Sequence, residues 1–229
     1  MCLPRRLVES GRVRTPFLTL ALVVAGLLAA SPVRAQDPPP KIGPFVIDVH
    51  GTWPGFPNDD PQLADSRDLL LQELPHRGLG LHGGVHVYPA RWKAVTFGLG
   101  VDATIARAHK SKPQLTSVTY GRAVTERFSH IAPEISFNFG DGDGWSYLSG
   151  GIGPGVWSVV PDTLDPTAAD QQRVETINYG GGARWFIKPR LAFSIDARFY
   201  AVSPTTPLPG NPSGPRTTLF FMGAGLSFK

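Results

Sequence analysis

Apolar residues alternate with polar or small residues along most of the chain beyond Ile42, and they rarely recur at helical spacing. In Ala94–Ala106, every second residue from Val95 to Ile105 is apolar, whereas threonine, glycine and aspartate fill the positions between. Such alternation places the two sets of side chains on opposite faces of a β-strand. The pattern therefore predicts an all-β protein whose strands each carry one apolar face and one polar face.

Eight segments of this kind follow one another along the chain, and turn-forming residues separate them. Gly144–Trp157 is the least regular, because Trp145 and Tyr147 lie opposite Leu148 and because glycine-rich strands specify register weakly. The predicted strands, each about ten residues long, are Pro44–Trp53, Gly78–Tyr88, Ala94–Ala106, His130–Phe139, Gly144–Trp157, Ile177–Trp185, Leu191–Tyr200 and Phe220–Phe228.

The connections between these strands alternate between long and short. Outer-membrane β-barrels show this arrangement, with tight turns at the periplasmic end and longer loops outside the cell. An even number of strands also leaves both termini at the periplasmic end. We therefore expect an eight-stranded antiparallel up-and-down transmembrane β-barrel with four external loops. The long connections are Pro54–Arg77, Arg107–Thr125, Ser158–Gln172 and Ser203–Pro215, and the short ones are Pro89–Lys93, Gly140–Asp143 and Lys188–Pro189.

The composition of the two strand faces indicates which one meets lipid. Glycine recurs on the polar face, as at Gly98 and Gly100, and small side chains suit the crowded lumen of a narrow barrel. The bulkier apolar face suits a lipid-facing band, and aromatic residues lie near the strand ends, where aromatic girdles occur. The alternative is a secreted soluble barrel or sandwich whose apolar face forms the core.

The charge distribution argues against a nucleic-acid partner. The formal net charge is +4, but the first 35 residues hold five arginines against Glu9, so the remainder of the chain is neutral. A basic face for nucleic acid is therefore not expected. No apolar run reaches the roughly 20 residues that a spanning helix needs. The single cysteine, Cys2, leaves no disulfide within the rest of the chain.

The N-terminal segment has the features of a secretory signal peptide. Arginines precede the apolar run Phe17–Ala30, and the small-residue site Val33–Ala35 follows it. We expect cleavage between Ala35 and Gln36. The predicted organisation is thus a signal peptide at 1–35, a periplasmic tether at 36–41 and an outer-membrane β-barrel domain at 42–229.

The sequence resembles the small eight-stranded outer-membrane β-barrel proteins of the OmpA/OmpX type. The stretch Asn178–Tyr200 carries the likeness best, and the alternating C-terminal strand is similar to the family's assembly signal. The resemblance implies an outer-membrane location and recognition by the outer-membrane assembly machinery. In place of the family's final phenylalanine, Lys229 follows Phe228. The assembly-signal residues are Phe220, Met222, Ala224, Leu226 and Phe228.

Charged residues and histidines on the polar face are the candidate site. Buried charges persist when they are paired or hydrogen-bonded, so we expect a plug of ion pairs around Arg184 and Arg198. Acids outnumber these arginines, and we therefore predict that a histidine, above all His82, offsets the excess negative charge. The predicted lumen network consists of Asp48, His50, His82, His86, Asp102, His130, Glu134, Arg184, Asp196 and Arg198.

The same residues allow two alternatives to a plugged lumen. His50, His82 and His130 could converge on a metal, although the chain has no ligand spacing of the H-x-x-x-H kind. A narrow ion-conducting channel is the other alternative to a plugged lumen. We predict no metal site and no cofactor.

One segment bears on catalysis. Arg198–Gly214 resembles the last strand and loop of outer-membrane lipid A deacylases, whose H-x-S pair supplies base and nucleophile. Here the matching triplet is Ala201-Val202-Ser203, which lacks the base, and no Asp or Glu follows it. A serine without a base is a weak nucleophile. We therefore expect no catalytic residues. The expected role is structural, adhesive or ligand-binding. We expect outer-membrane lipid and lipopolysaccharide around the barrel and an unknown ligand at the loops.

Overall fold

The strands close into a barrel. The computed structural model describes residues 41–229 except Thr206 and Leu208, so the predicted signal peptide, its cleavage site at Ala35 and Gln36, and residues 36–40 of the tether lie outside the described residues. Each strand pairs antiparallel with its sequence neighbours, and β1 pairs with β8. The predicted fold is confirmed. The strands are β1 (Phe45–Gly55), β2 (Gly78–Trp92), β3 (Val95–Lys110), β4 (Val124–Asp141), β5 (Gly144–Pro161), β6 (Arg173–Lys188), β7 (Leu191–Val202) and β8 (Thr217–Phe228).

Most strands are longer than predicted, and most of the extra residues lie at the long-loop end. The exception is β2, which continues to Trp92 at the short-turn end, so most of the predicted short connection Pro89–Lys93 is strand. The strand β3 continues to Lys110, and β4 begins at Val124 instead of His130. The strands β4 and β5 each have 18 residues. The expected length of about ten was wrong, because the alternation continues beyond the predicted ends with its polarity reversed.

That reversal is visible in adjacent residues of β4. Nearer the short turns, Ile131 and Ile135 face outward and are 51% and 54% exposed. Nearer the long loops, Arg127 faces outward and is exposed, whereas Phe128 points inward and is 1% exposed. The barrel is therefore apolar outside in one part and apolar inside in the other.

The inward apolar residues at the long-loop end form a cap over the lumen, which we call the apolar cap. The rings of Phe56, Phe128, Tyr200 and Phe221 contact one another at centroid distances of 5.0 to 5.9 Å. The cap also includes residues of the first long loop. Its members are Phe56, Leu63, Ala64, Leu69, Leu74, Ala106, Ala108, Val124, Phe128, Trp157, Val159, Val174, Tyr200, Val202, Leu219 and Phe221.

The first long loop folds back onto this cap through a short helix, α1 (Pro61–Ser66). The carboxylate of Asp60 accepts hydrogen bonds from the backbone N–H groups of Gln62 and Leu63 at 2.9 and 3.2 Å, and it thereby caps the helix. Two 3₁₀ helices, Leu71–Glu73 and Ala168–Gln171, lie in the first and third long loops. Within the described residues, no helix is long and apolar enough to cross a membrane.

Aromatic side chains also close the lumen at the short-turn end. Trp145 stacks on Phe186 at 5.0 Å and meets the edge of Tyr88 at 6.1 Å. Ile42 and Val46 are buried in the same cluster. The lumen between the two clusters is thus enclosed on all sides.

Candidate functional site: the polar core of the lumen

All ten residues predicted for the lumen network point inward and are 0–7% exposed. They point inward because successive side chains of a strand alternate between its two faces, and the apolar residues of each strand occupy the outward face. Nine of the ten are joined by ion pairs or hydrogen bonds, and His130 is the exception.

Arg198 is the centre of the network. Its guanidinium meets the carboxylates of Asp102 and Asp196, each at 3.2 Å, and also that of Glu134. A guanidinium offers five N–H donors in a planar fork and can therefore serve several acceptors. Strands β3, β4 and β7 are thereby linked through one side chain.

A second ion pair lies nearer the short turns. Arg184 donates from Nε to Asp48 Oδ1 at 2.9 Å and from Nη2 to Oδ2 at 2.6 Å, a bidentate geometry. Its guanidinium carbon lies 3.9 Å from the centre of the Tyr147 ring. Ser227 donates to the same Asp48 carboxylate at 2.5 Å. This pair joins β6 to β1 and β8 across the lumen.

His86 connects the two arginine centres. Its Nε2 lies 3.0 Å from Glu134 Oε2, and its Nδ1 lies 3.8 Å from Asp48 Oδ2. Two arginines face four carboxylates in the lumen, so a protonated His86 would offset part of the excess negative charge. The sequence singled out His82, whose Nε2 lies 2.6 Å from Asp102 Oδ2. The protonation of His82 stays a prediction, and His86 has the more acidic surroundings of the two.

A histidine pair extends the network to β7. The Nδ1 atoms of His50 and His82 lie 3.1 Å apart, and His50 Nε2 lies 2.7 Å from Ser194 Oγ. One of the two Nδ1 atoms must donate and the other must accept, so the pair can carry at most one positive charge.

His130 stands apart from the other predicted residues. Its Nδ1 pairs with the carbonyl of Pro154 at 3.1 Å, and its ring packs against Phe128 and Tyr200 of the apolar cap. Consequently His50 and His82 meet, but His130 does not join them. Within the described part of the chain, no group of three or more His, Cys, Asp or Glu could hold a metal ion.

Several members of the network were missed as site residues. Asn178 donates to Asp102 at 3.2 Å and to Glu134 at 2.7 Å. Tyr147 donates to Asp196 at 2.7 Å, and Ser149 accepts from Arg198 at 3.2 Å. Their inward positions follow from the alternation, but uncharged residues gave no separate signal in the sequence.

Glu126 was missed for a different reason. It lies in the part of β4 between the predicted loop and the predicted strand, and it is fully buried between the cap residues Val124 and Phe128. Trp157 Nε1 donates to its Oε1 at 2.6 Å, whereas its Oε2 has no hydrogen-bond partner among the described residues.

The four long loops are tied to one another around the first of them. Arg67 contacts Asp170 of the third loop at 3.4 Å and Thr205 of the fourth at 3.3 Å. Glu73 accepts hydrogen bonds from the Arg122 backbone N–H and, at 3.2 Å, from its Nη2. Polar contacts across all four loops therefore give the long-loop end a fixed surface.

The Glu73 contacts shift the acidity of that carboxyl. Its burial alone would raise the pKa. Hydrogen bonds from the backbone N–H groups of Arg122 and Leu70 and from the Arg122 guanidinium outweigh this effect, so the pKa lies below its ordinary value of 4.5. The folded loop therefore holds Glu73 in its ionised form.

The segment similar to lipid A deacylases has no base beside its serine. Ala201 pairs with Thr218, and the Ser203 backbone N–H donates to the Glu175 carbonyl at 3.1 Å. Among the described residues, which include all six histidines, none contacts the Ser203 hydroxyl as a base would.

The closed eight-stranded barrel with a filled lumen defines the structural class of the small outer-membrane β-barrels, and the predicted resemblance is confirmed at the level of the fold. Neisserial surface protein A has a similar structure, with a TM-score of 0.50 at 11% identity over 82% of this chain and 97% of that one. Outer membrane protein OprG from Pseudomonas aeruginosa gives a TM-score of 0.49 at 11% identity, covering 83% and 97% of the two chains. No family model and no curated protein matches the sequence. At these identities the likeness concerns the fold alone.

Proposed function

We propose that the protein is an outer-membrane β-barrel with a closed lumen and that it acts through its external loops and outer surface. Its role is then structural, adhesive or ligand-binding, without catalysis. The observation that carries the proposal is the outward belt of bulky apolar side chains around a lumen filled with paired charges. For example, Leu81 is 56% exposed and Val101 is 50% exposed, whereas Arg198 between the same walls is 2% exposed.

A belt of this kind favours lipid as its surroundings. Monomeric soluble proteins rarely expose contiguous apolar patches above a few hundred Å². Here apolar side chains face outward on all eight strands, and Trp53, Trp92 and Trp185 lie near strand ends with 49–66% of their surfaces exposed. A secreted soluble barrel would need the opposite polarity over this part of the wall.

The location can be tested by fractionating cells that express the full chain. We expect the protein in the outer-membrane fraction, with an electrophoretic migration that changes on heating because a folded barrel resists detergent. Recovery of a soluble barrel from the periplasm or the medium would contradict the proposal. The N-terminal residue of the recovered protein should be Gln36, which tests the predicted cleavage.

Conductance measurements distinguish a closed lumen from the alternative of a narrow channel. We expect no stepwise ion conductance from the purified barrel in planar lipid bilayers, because the apolar cap and the Trp145 cluster both close the lumen. Regular conductance steps would show that the plug opens.

The enzymatic alternative has its own test. Overexpression should leave lipid A with its full set of acyl chains when the lipid is analysed by mass spectrometry. Loss of one acyl chain that depends on Ser203 would overturn the non-enzymatic assignment.

We further propose that the C-terminal strand is recognised during assembly. Phe220, Met222, Leu226 and Phe228 all face outward on β8 and are 39–56% exposed. Replacing Phe228 with Ser should lower the amount of folded barrel in the outer membrane, whereas Thr217→Ser at the other end of the strand should not.

A further inference from the structure

Two arginines face each other on the outer surface where the barrel changes polarity. Arg107 on β3 and Arg127 on β4 are directly paired in the register, and both are exposed. Among the described residues, neither side chain makes an ion pair or a hydrogen bond.

A bound anion would relieve the repulsion between these two positive charges on neighbouring strands. Cβ atoms of such a pair lie about 4.5–5.5 Å apart, and like charges directly opposite each other destabilise a sheet. Asp162, which lines a pocket together with both arginines, does not relieve this, because its carboxylate accepts from Thr125 at 2.7 Å and lies 3.5 Å from His109. The two guanidinium groups are therefore free for an external ligand.

An apolar groove of about 510 Å³ begins beside the two arginines. Its walls are the exposed side chains of Trp53, Leu79, Leu81 and Ile105, which are 56–69% exposed. The groove exists because Gly51, which pairs with Leu81, has no side chain to fill it. A Cβ added there would meet only the Ala224 carbonyl oxygen, at 3.9 Å.

A second pocket, of about 390 Å³ and with a mixed polar and apolar lining, lies on the other side of the same arginines. Thr125, Ser158 and Asp162 contribute to its lining. Apolar surface, paired positive charge and a surface that offers polar groups among apolar ones thus follow in order along the outer wall toward the long loops. This order matches the acyl chain, phosphate and sugar of a phosphorylated glycolipid.

We propose that this surface binds a lipid of the lipid A class, with an acyl chain in the groove and a phosphate between Arg107 and Arg127. Arginine suits phosphate because its planar fork can donate two parallel hydrogen bonds. The inference rests on the proposed outer-membrane location, since only a lipid-embedded wall meets such a ligand. A free phosphate would use the arginines alone and leave the groove empty.

Binding can be measured by native mass spectrometry of the folded barrel in an uncharged detergent, with lipid A added. The double variant Arg107→Ala/Arg127→Ala should weaken binding at least about tenfold, as expected when charge-assisted hydrogen bonds are lost. Arg173→Ala is the matched control, because Arg173 lies at the same end but opposite Val156. Dephosphorylated lipid should also bind the unaltered barrel at least about tenfold more weakly, for the same reason.

The groove is tested separately from the charges. Gly51→Leu should fill the groove and weaken lipid A binding, yet inorganic phosphate should compete with lipid A equally well for both proteins. Gly83→Leu is the control, since Gly83 also faces outward with ordinary space and lies outside the groove.

Heat-modifiable migration of each variant distinguishes failure of the proposed barrel from failure of the proposed binding site. If the barrel does not form or insert, the proposed function fails. If every variant folds and the arginine or groove changes leave lipid A binding unaltered, the binding site is refuted while the barrel assignment stands. Equal binding of phosphorylated and dephosphorylated lipid would likewise refute it.

Discussion

The lower lumen, around Arg184 and Arg198, and the apolar cap, around Phe128 and Phe221, are parts of one barrel interior with opposite chemistry. In the lower lumen the strands turn paired charges inward and apolar residues outward. In the cap they turn apolar residues inward, and the outward positions carry Arg107 and Arg127. Between β3 and β4 the change occurs without a break in pairing, whereas the pairing of β4 with β5 is interrupted there, between His130 and Glu134.

The difference shows that the surroundings of the wall decide what its interior holds. Where the outside is apolar, the interior receives the alternate, polar residues, and these must be paired because unpaired buried charges are costly. Where the outside is polar, the interior can be stabilised by apolar burial, as in a soluble barrel. Four changes test this contrast.

The largest effect is expected in the lower lumen. Arg198→Met leaves Asp102, Glu134 and Asp196 without their common partner and should lower the free energy of unfolding by about 3–5 kcal/mol. Urea titration of the barrel in lipid vesicles measures it. Arg91→Met, an exposed change near a short turn, should stay within about 0.5 kcal/mol. If Arg198→Met lowered the free energy of unfolding by a similarly small amount, the network would not be needed for stability.

A change in the apolar cap should act more locally. Leu74 of the first loop is fully buried, so Leu74→Ala should weaken the docking of that loop by about 2–5 kcal/mol. We expect faster proteolysis within the Pro54–Arg77 segment while the barrel itself stays intact. Leu70→Ala, at a position 50% exposed, should leave the cleavage rate unchanged. Whole-barrel unfolding in the Leu74 variant would contradict the separation of cap and lumen.

Outward arginine substitutions at two heights of the barrel wall test where its outer surface changes from apolar to polar. Ile135→Arg should cost about 2–4 kcal/mol in vesicles, because it places a charge on the lipid-facing surface. Thr218→Arg, outward on β8 near the long loops, should cost only about 0–1 kcal/mol, as expected for a position near the interface. Equal costs at the two positions would remove the distinction.

The smallest effect concerns the loops and depends on pH. Because the pKa of Glu73 is lowered in the folded state, its contribution is fully present above the ordinary value of 4.5 and is lost as the pH falls through the lowered pKa. Hydrogen exchange at the Leu70 and Arg122 amides should therefore accelerate in acid, by an amount on the order of 1 kcal/mol. Glu73→Gln should remove this pH dependence, and the Arg198 contacts should be unaffected over the same range.

The alternation of apolar and polar residues was enough to predict the strand order, the barrel and the inward direction of Arg184 and Arg198. It was not enough to predict which acid meets which arginine, because these contacts join strands far apart in the chain and depend on the stagger of the closed sheet. The choice between His82 and His86 as the histidine that offsets the negative charge depends on the same contacts. Phe128 and Glu126 were not predicted to face inward because the polarity of β4 reverses along its length, with Phe128 inward and Ile131 outward.

The reversed stretch of wall also sets the height of the loop surface. On β4 the Val124–Ser129 part lies beyond the lipid-facing isoleucines, and at a tilt of ~40° it rises roughly 15 Å. The tied loops therefore stand on a rigid collar above the lipid head groups. In the proposed topology, with the long loops outside the cell, a partner would reach them before it touched the bilayer.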